Sequence, residues 1–234
     1  GAPAPAAVVG ALDVTQARAT LLFKLTTLMN GRSGVRPALT QFLADLLNKG
    51  ITPRLHADAI GADSLSGLAD ACKGLGVTVE GFQLGEALTA AGIAHPGLSA
   101  AERTVLQAGQ SGAGAVAGLV AHGASLTLAL ATAVAALSCE ALQATVSCFA
   151  TEAAEAQPGK AAMAAASELA GLMEGSKQVN AKKGGVGASA FVVELPQVLG
   201  SAREAVDGTG RAAKVELATL ALPPGKSGDS PLVP

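Results

Sequence analysis

Apolar residues recur at helical spacing along most of the chain. Leu21, Leu22, Leu25 and Leu28 form one such face, with Asp13 and Thr15 ahead of it as caps and Asn30-Gly31 as its end. Leu39, Phe42, Leu43, Leu46 and Leu47 form a second, opened by Pro37 where a first turn tolerates proline and closed by Lys49-Gly50. The same spacing predicts helices over 68–75, 84–91, 161–173 and 197–215, the last interrupted at Gly208-Thr209-Gly210. Residues 191–195 read as a short apolar segment ahead of it. Residues 77–82 are strand-like and predict brief pairing only. Residues 51–65 and 180–189 read as loops. The pattern as a whole predicts a mainly α protein, a long-helix bundle with little strand.

One stretch differs from the rest. Residues 104–139 contain no Asp, Glu, Lys or Arg, and are rich in Gly and Ala. Ser99 and Glu102 stand at capping-box spacing ahead of it, which predicts a long helix, or a pair kinked among the glycines, reaching about Phe149. Such a run is long enough for a membrane span. It also suits the central helix of a soluble bundle, covered on all sides. Trp and Tyr are absent and no Lys/Arg asymmetry flanks it, which favours the bundle. The predicted organisation is an extended arm over 1–14, an N-terminal region over 15–98, a central helical bundle over 99–221 and an irregular, proline-rich tail over 222–234.

Composition narrows the function classes. Half the residues are hydrophobic with only five Phe, so the core is one of closely approaching Ala, Leu, Val and Gly helices. Net charge is −2, and Lys182-Lys183 is the only adjacent basic pair, which argues against nucleic-acid binding. Cys72, Cys139 and Cys148 lack CxxC spacing and read as buried free thiols of a reducing, intracellular compartment. No basic segment leads into an apolar one, so no secretory signal is expected. A start at Gly1 fits a processed terminus, an organelle such as the mitochondrion included.

Candidate chemistry outside any family pattern is weak. His56, Asp58, Asp63 and Asp70 lie close in sequence without regular ligand spacing, so no metal site is expected. Cys139 and Cys148 read as core thiols, and His122, on an apolar helix, as a buried hydrogen-bonded histidine. Gly184-Gly185-Val186-Gly187 lacks the strand and the Lys-Ser/Thr partner of a phosphate loop.

A set of short motifs in a fixed order carries more. Gly31-Arg32-Ser33-Gly34-Val35-Arg36-Pro37 and Leu46-Leu47-Asn48-Lys49-Gly50-Ile51-Thr52-Pro53 come first. Ala135-Ala136-Leu137-Ser138-Cys139-Glu140-Ala141 follows, then Gln157-Pro158-Gly159-Lys160 with Gly175-Ser176. Pro196-Gln197-Val198-Leu199-Gly200 and Asp229-Ser230-Pro231-Leu232-Val233 complete the series. Together, from about Arg18 to Val233, they resemble the histidine/aromatic ammonia-lyase family. The resemblance implies a mostly α-helical fold of long helices, in chains roughly twice this length. This chain would then begin after the family's N-terminal segment, which carries a catalytic Tyr, and stop near the middle.

The family's chemistry, as the resemblance implies it, uses a methylidene-imidazolone made from Ala-Ser-Gly. The Gly amide nitrogen attacks the Ala carbonyl, and the Ser side chain then loses water to give a reactive methylene. The corresponding stretch here is Ala62-Asp63-Ser64, followed by Leu65-Ser66-Gly67. Asp63 cannot dehydrate to that methylene, and Ser64 adds a Cβ at the crowded position. The family's Asn of "LxNGT" falls on Ala108. Its "QDxYSxRC" run falls on residues 187–194, with Tyr replaced by Ala190 and Arg by Val193. The expectation is a pseudoenzyme, with no catalytic, cofactor-binding or metal-binding residues, no cofactor and no small-molecule substrate. It would act as a structural or accessory subunit in a hetero-oligomer with other protein subunits, without spanning a membrane itself. The alternatives are a half-chain that completes an active ammonia lyase or aminomutase with a partner, and a membrane subunit with 104–139 as its span.

Overall fold

The computed structural model describes residues 10–30, 33–56, 65–150, 159–181 and 190–218. Most of the predicted arm, the irregular tail, residues 182–189 and Gly61, Ala62, Asp63 and Ser64 lie outside the described residues, as does Asp58. The helices are α1 (Val14–Met29), α2 (Pro37–Lys49), α3 (Ser66–Ala71), α4 (Leu84–Ala91), α5 (Ala100–Gln107) and α6 (Ser111–Ala141). After a 3-10 turn at Ser147–Phe149 come α7 (Lys160–Leu172) and α8 (Ala190–Ala218). The fold is mainly α, and the described residues hold no strand. Residues 77–83 contribute only isolated bridges, Pro53 with Thr78 and Val77 with Gln83.

Two compact units form, one from residues 1–119 and 212–234, the other from 120–211. In the first unit α1 starts at a capping box: Asp13 Oδ1 accepts from Gln16 N at 2.8 Å, and Gln16 Oε1 accepts from Asp13 N at 3.3 Å. Leu21, Leu25 and Leu28 enter the core with Leu39, Phe42, Leu43 and Leu46 of α2, each such side chain contributing about 1.5–3 kcal/mol by burial. Leu22, expected on that face, is 55% exposed, and Lys24 is fully buried among the leucines. Gly50, at φ 71°, ends α2 with its N–H directed to the Leu46 and Leu47 carbonyls. Gly114, early in α6, lets that helix lie against Phe23, whose ring would sit 2.6 Å from an added Cβ.

The long uncharged stretch is not one helix. The Ser99–Glu102 capping box opens α5 alone. Ala108 is extended (φ −72°, ψ 153°) and Gly109 has φ 83°, so the chain turns before α6 begins. Nor is α6 covered all round. In the second unit Ala121, Thr132, Ala135, Ala136 and Cys139 face inward, while Leu126, Leu130, Val134 and Leu137 are exposed on the opposite side. Apolar character on both faces hides this asymmetry from the sequence. Ala100–Ala141 is long and apolar enough to cross a membrane by length and composition, and 22% of its most apolar window is buried. His122 is exposed rather than buried: among the described residues of the unit no element covers its side of α6.

The second core joins α6 to Phe149 of the 3-10 turn, Ala165 and Leu169 of α7, and Val192, Leu195 and Leu199 of α8. Residues 191–195 are the first turns of α8, and the expected interruption at Gly208-Thr209-Gly210 does not occur. Thr209 Oγ1 donates to Ala205 O at 2.9 Å, and a Cβ on Gly210 would touch Ala121 at 4.0 Å, so small residues here serve an approach to α6.

Candidate functional site

The two buried charged groups among the described residues of the first unit, Glu102 and Lys24, stand at the two ends of α5. At its start, Glu102 is 2% exposed. Its carboxylate accepts from Ser99 N (3.0 Å), from Arg36 N (3.2 Å), and from Arg36 Nε and Nη2 (both 2.8 Å). The Arg36 fork is two-pronged, the geometry that matches a carboxylate best. It outweighs the desolvation that would raise the Glu102 pKa, and brings it down to about 2. Beside the pair opens a cleft of about 540 Å³, lined by Gly34, Arg36, Pro96, Gly97, Leu98 and Ser99.

The folded pKa of Glu102 lies below the ordinary 4.5. The stability tied to its ionisation is therefore present above about pH 4.5 and is lost as pH falls toward 2. Acid titration of unfolding should show that loss in the wild type and a flatter acid limb in Glu102→Gln. Equal acid limbs would contradict the assignment.

At the other end of α5, Lys24 Nζ donates to Val105 O (2.9 Å) and Ala108 O (2.7 Å). These are carbonyls that a helix end leaves without partners in its own ladder. Burial lowers the Lys24 pKa to about 8, against the pull of the Glu216 carboxylate. Glu216 Oε1 accepts from Gln110 N at 3.1 Å, just ahead of α6, so the turn at 108–110 is held from both sides. Ala108 is half-buried there, its methyl where the family resemblance expects an amide side chain.

In the second unit Ala190 and Val193 lie in the first turn of α8 with exposed side chains. Asn180, at φ 59°, donates from its N–H to Ala144 O (3.0 Å) and accepts on Oδ1 from Val146 N (3.0 Å). Asn tolerates that left-handed backbone through such local bonds.

The groups displaced from ordinary protonation all do structural work. Glu102 is locked as a carboxylate, Lys24 is tied to two carbonyls, and burial pushes the Cys72 thiol up to about 12. Burial also raises the Cys139 and Cys148 thiols, which disfavours the thiolate a nucleophile needs. Cys148 is half-buried, unlike the other two. Among the described residues no three His, Cys, Asp or Glu side chains gather as a metal site; His56 is exposed and Asp70 half-buried. Sequence reasoning missed Lys24 and the Arg36–Glu102 pair. A lysine inside the Leu21–Leu25–Leu28 stripe was a readable sign of the first.

The comparisons with known proteins agree on one family. A model described as aromatic amino acid lyase matches residues 4–224. The histidine ammonia-lyase of Streptomyces coelicolor is 32% identical over 231 residues, which cover 89% of this chain and 44% of the relative. That of Caldanaerobacter subterraneus is 29% identical over 210 residues, covering 86% and 41%. A tyrosine aminomutase structure from Streptomyces globisporus superposes with a TM-score of 0.86 at 26% identity, over 96% of this chain and 48% of that one. The chain thus spans about half the length of the relatives it matches. With the family's model covering nearly its whole length, the chain belongs to the aromatic amino acid lyase family.

Proposed function

We propose that this chain is a non-catalytic ammonia-lyase-like subunit, working as an accessory part of a larger protein assembly in a reducing compartment. The observation that carries the reading is Ala62-Asp63-Ser64 where the family's electrophile requires Ala-Ser-Gly. Asp63 has no hydroxyl to eliminate as water. Ala108, Ala190 and Val193 support it, since none can bind a carboxylate or move a proton. The exposed apolar side of α6 supports an assembly, because a patch of that kind marks an interaction surface.

The purified protein is expected to release no ammonia from histidine, phenylalanine or tyrosine. Its intact mass should lack the loss of two waters that closing and dehydrating the ring would cause. Turnover, or that mass loss, overturns the reading. Isolation from the native source is expected to bring other polypeptides along in fixed ratio; recovery of this chain alone overturns the accessory role.

One observation favours a second reading. A chain spanning about half of its relatives could supply half of a lyase whose Ala-Ser-Gly sits on another polypeptide. That reading requires ammonia release from the reconstituted pair, and a silent pair removes it.

A further inference from the structure

We propose that Cys139 and Cys148 form a reversible disulfide that ties the end of α6 to the 3-10 turn and couples the stability of the second unit to thiol redox state. They are the cysteines of that unit, and both enter one core. Cys139, in the last turn of α6, is fully buried there, and Cys148 packs against the same cluster beside Phe149. Burial is the main cause of the raised Cys139 thiol, and the charge of Cys148 adds to it, so the two sulfurs lie within range of each other.

The chain is folded back to bring them together. Nine residues of continued helix would carry position 148 about 13 Å along the axis from position 139, beyond the reach of about 7 Å between the Cα atoms of a disulfide. Instead α6 ends and the chain returns. Ala144 N donates to Cys139 O at 2.9 Å, and Phe149 N donates to Val146 O at 3.0 Å. Asn180 holds Ala144 O and Val146 N, and Gln178 Oε1 accepts from Gln143 Nε2 at 3.3 Å. The return is costly: Gln143 sits at φ 52°, where non-glycine residues are uncommon, and its Oε1 is buried without a hydrogen-bond partner among the described residues.

Unequal exposure assigns the two roles. Cys148 is half-buried and meets the oxidant, a small disulfide such as glutathione disulfide; Cys139 is covered and resolves the adduct. The Cys148 thiolate attacks one sulfur of the reagent, whose S–S bond breaks and releases one thiol. Cys139 Sγ then attacks Cys148 Sγ, the protein disulfide forms, and the second thiol leaves. The pair has given up two electrons and two protons, and the reagent ends as two thiols. Both thiols are raised by burial, so little thiolate is present at neutral pH and the exchange is slow there. Cys72, buried in the first unit, has no cysteine in its own core to pair with.

The pairing goes beyond the accessory role and is tested on the purified chain whatever becomes of that role. Glutathione disulfide should lower the free thiols from three to one per chain. The intact mass should fall by about 2 Da, for two hydrogens lost, with a peptide linking residues 139 and 148, and dithiothreitol should reverse both. The rate should rise about tenfold from pH 7 to pH 8, as the thiolate fraction does. Cys139→Ser should stop one glutathione heavier, with the adduct on Cys148, and Cys148→Ser should keep its two thiols. Closing a ten-residue loop should slow amide exchange through unfolding of α7 about hundredfold. The wild-type mass and peptide map decide the bond even where a variant fails to fold. Three thiols retained, a wild type that stops at the glutathione adduct, a bond through Cys72, or unchanged exchange in α7 would each overturn the proposal.

Discussion

Alanine at position 200 is expected to cost the protein about 3 kcal/mol, the upper end of what one added methyl does in a packed interior. Gly200 of α8 faces the backbone of α7 at its first turn. An ideal Cβ would lie 2.6 Å from Ala162 N and 2.8 Å from both Ala161 C and Ala162 Cα. These are main-chain atoms of a helix, and they cannot swing aside as the end of a long side chain would. The two helices must separate, and that loosens the layer in which Ala165 and Leu169 meet Leu195 and Leu199. Gly171, in α7 itself, is the control: nothing lies within 4 Å of its Cβ position. Alanine there should leave stability unchanged or raise it by about 0.5–1 kcal/mol. Chemical denaturation of the two variants measures both, and a Gly200→Ala protein as stable as Gly171→Ala would refute the close approach.

Lys24→Met should cost about 2–4 kcal/mol at neutral pH, chiefly because two buried carbonyls lose their charged donor. Methionine keeps most of the apolar stem, so the loss belongs to the ammonium group and to the turn at 108–110 that it holds. The pH dependence gives an independent signature. Lys24 has a folded pKa of about 8, below the ordinary 10.5, so the unfolded chain holds that proton more tightly. Stability should therefore rise as pH climbs from about 8 to about 10.5, and Lys24→Met should lack the rise. Urea midpoints measured across that range decide it, and parallel curves for the two proteins would sink the claim.

Where local chemistry sets the structure, the sequence was readable. Asp13 and Ser99 cap the helices they precede because a cap bonds within three residues. The end of α4 is local too: Gly92, at φ 69°, directs its N–H to the Leu88 and Thr89 carbonyls. What the sequence hid depends on distant partners. The break at 108–110 is supported by Lys24, over eighty residues back, and by Glu216, over one hundred ahead. A pair of helices kinked among the glycines was one of the two expectations, and the break falls at Gly109, but no apolar pattern between 104 and 139 could choose between them. His122 was misread for the converse reason: apolar neighbours along a helix promise burial only if another element arrives to cover them. The candidate site was legible only as letters, at Ala108, Ala190 and Val193, that differ from the motifs of the family the chain resembles. Its architecture was not, since Arg36 and Glu102 pair across sixty-six positions.

The discontinuity of the first unit bears on how the chain is made. Residues 120–211 are contiguous and can close their core as soon as they leave the ribosome. The first unit waits for residues from 212 onward, among them Glu216, which holds Gln110 N, and Leu217, whose carbonyl accepts from Asn30 Nδ2 at 3.5 Å. During synthesis the earlier-made residues of that unit are thus the later ones to be completed. A chain ending at 211 would keep every residue of the second unit, while in the first the α5–α6 turn would keep Lys24 and lack Glu216.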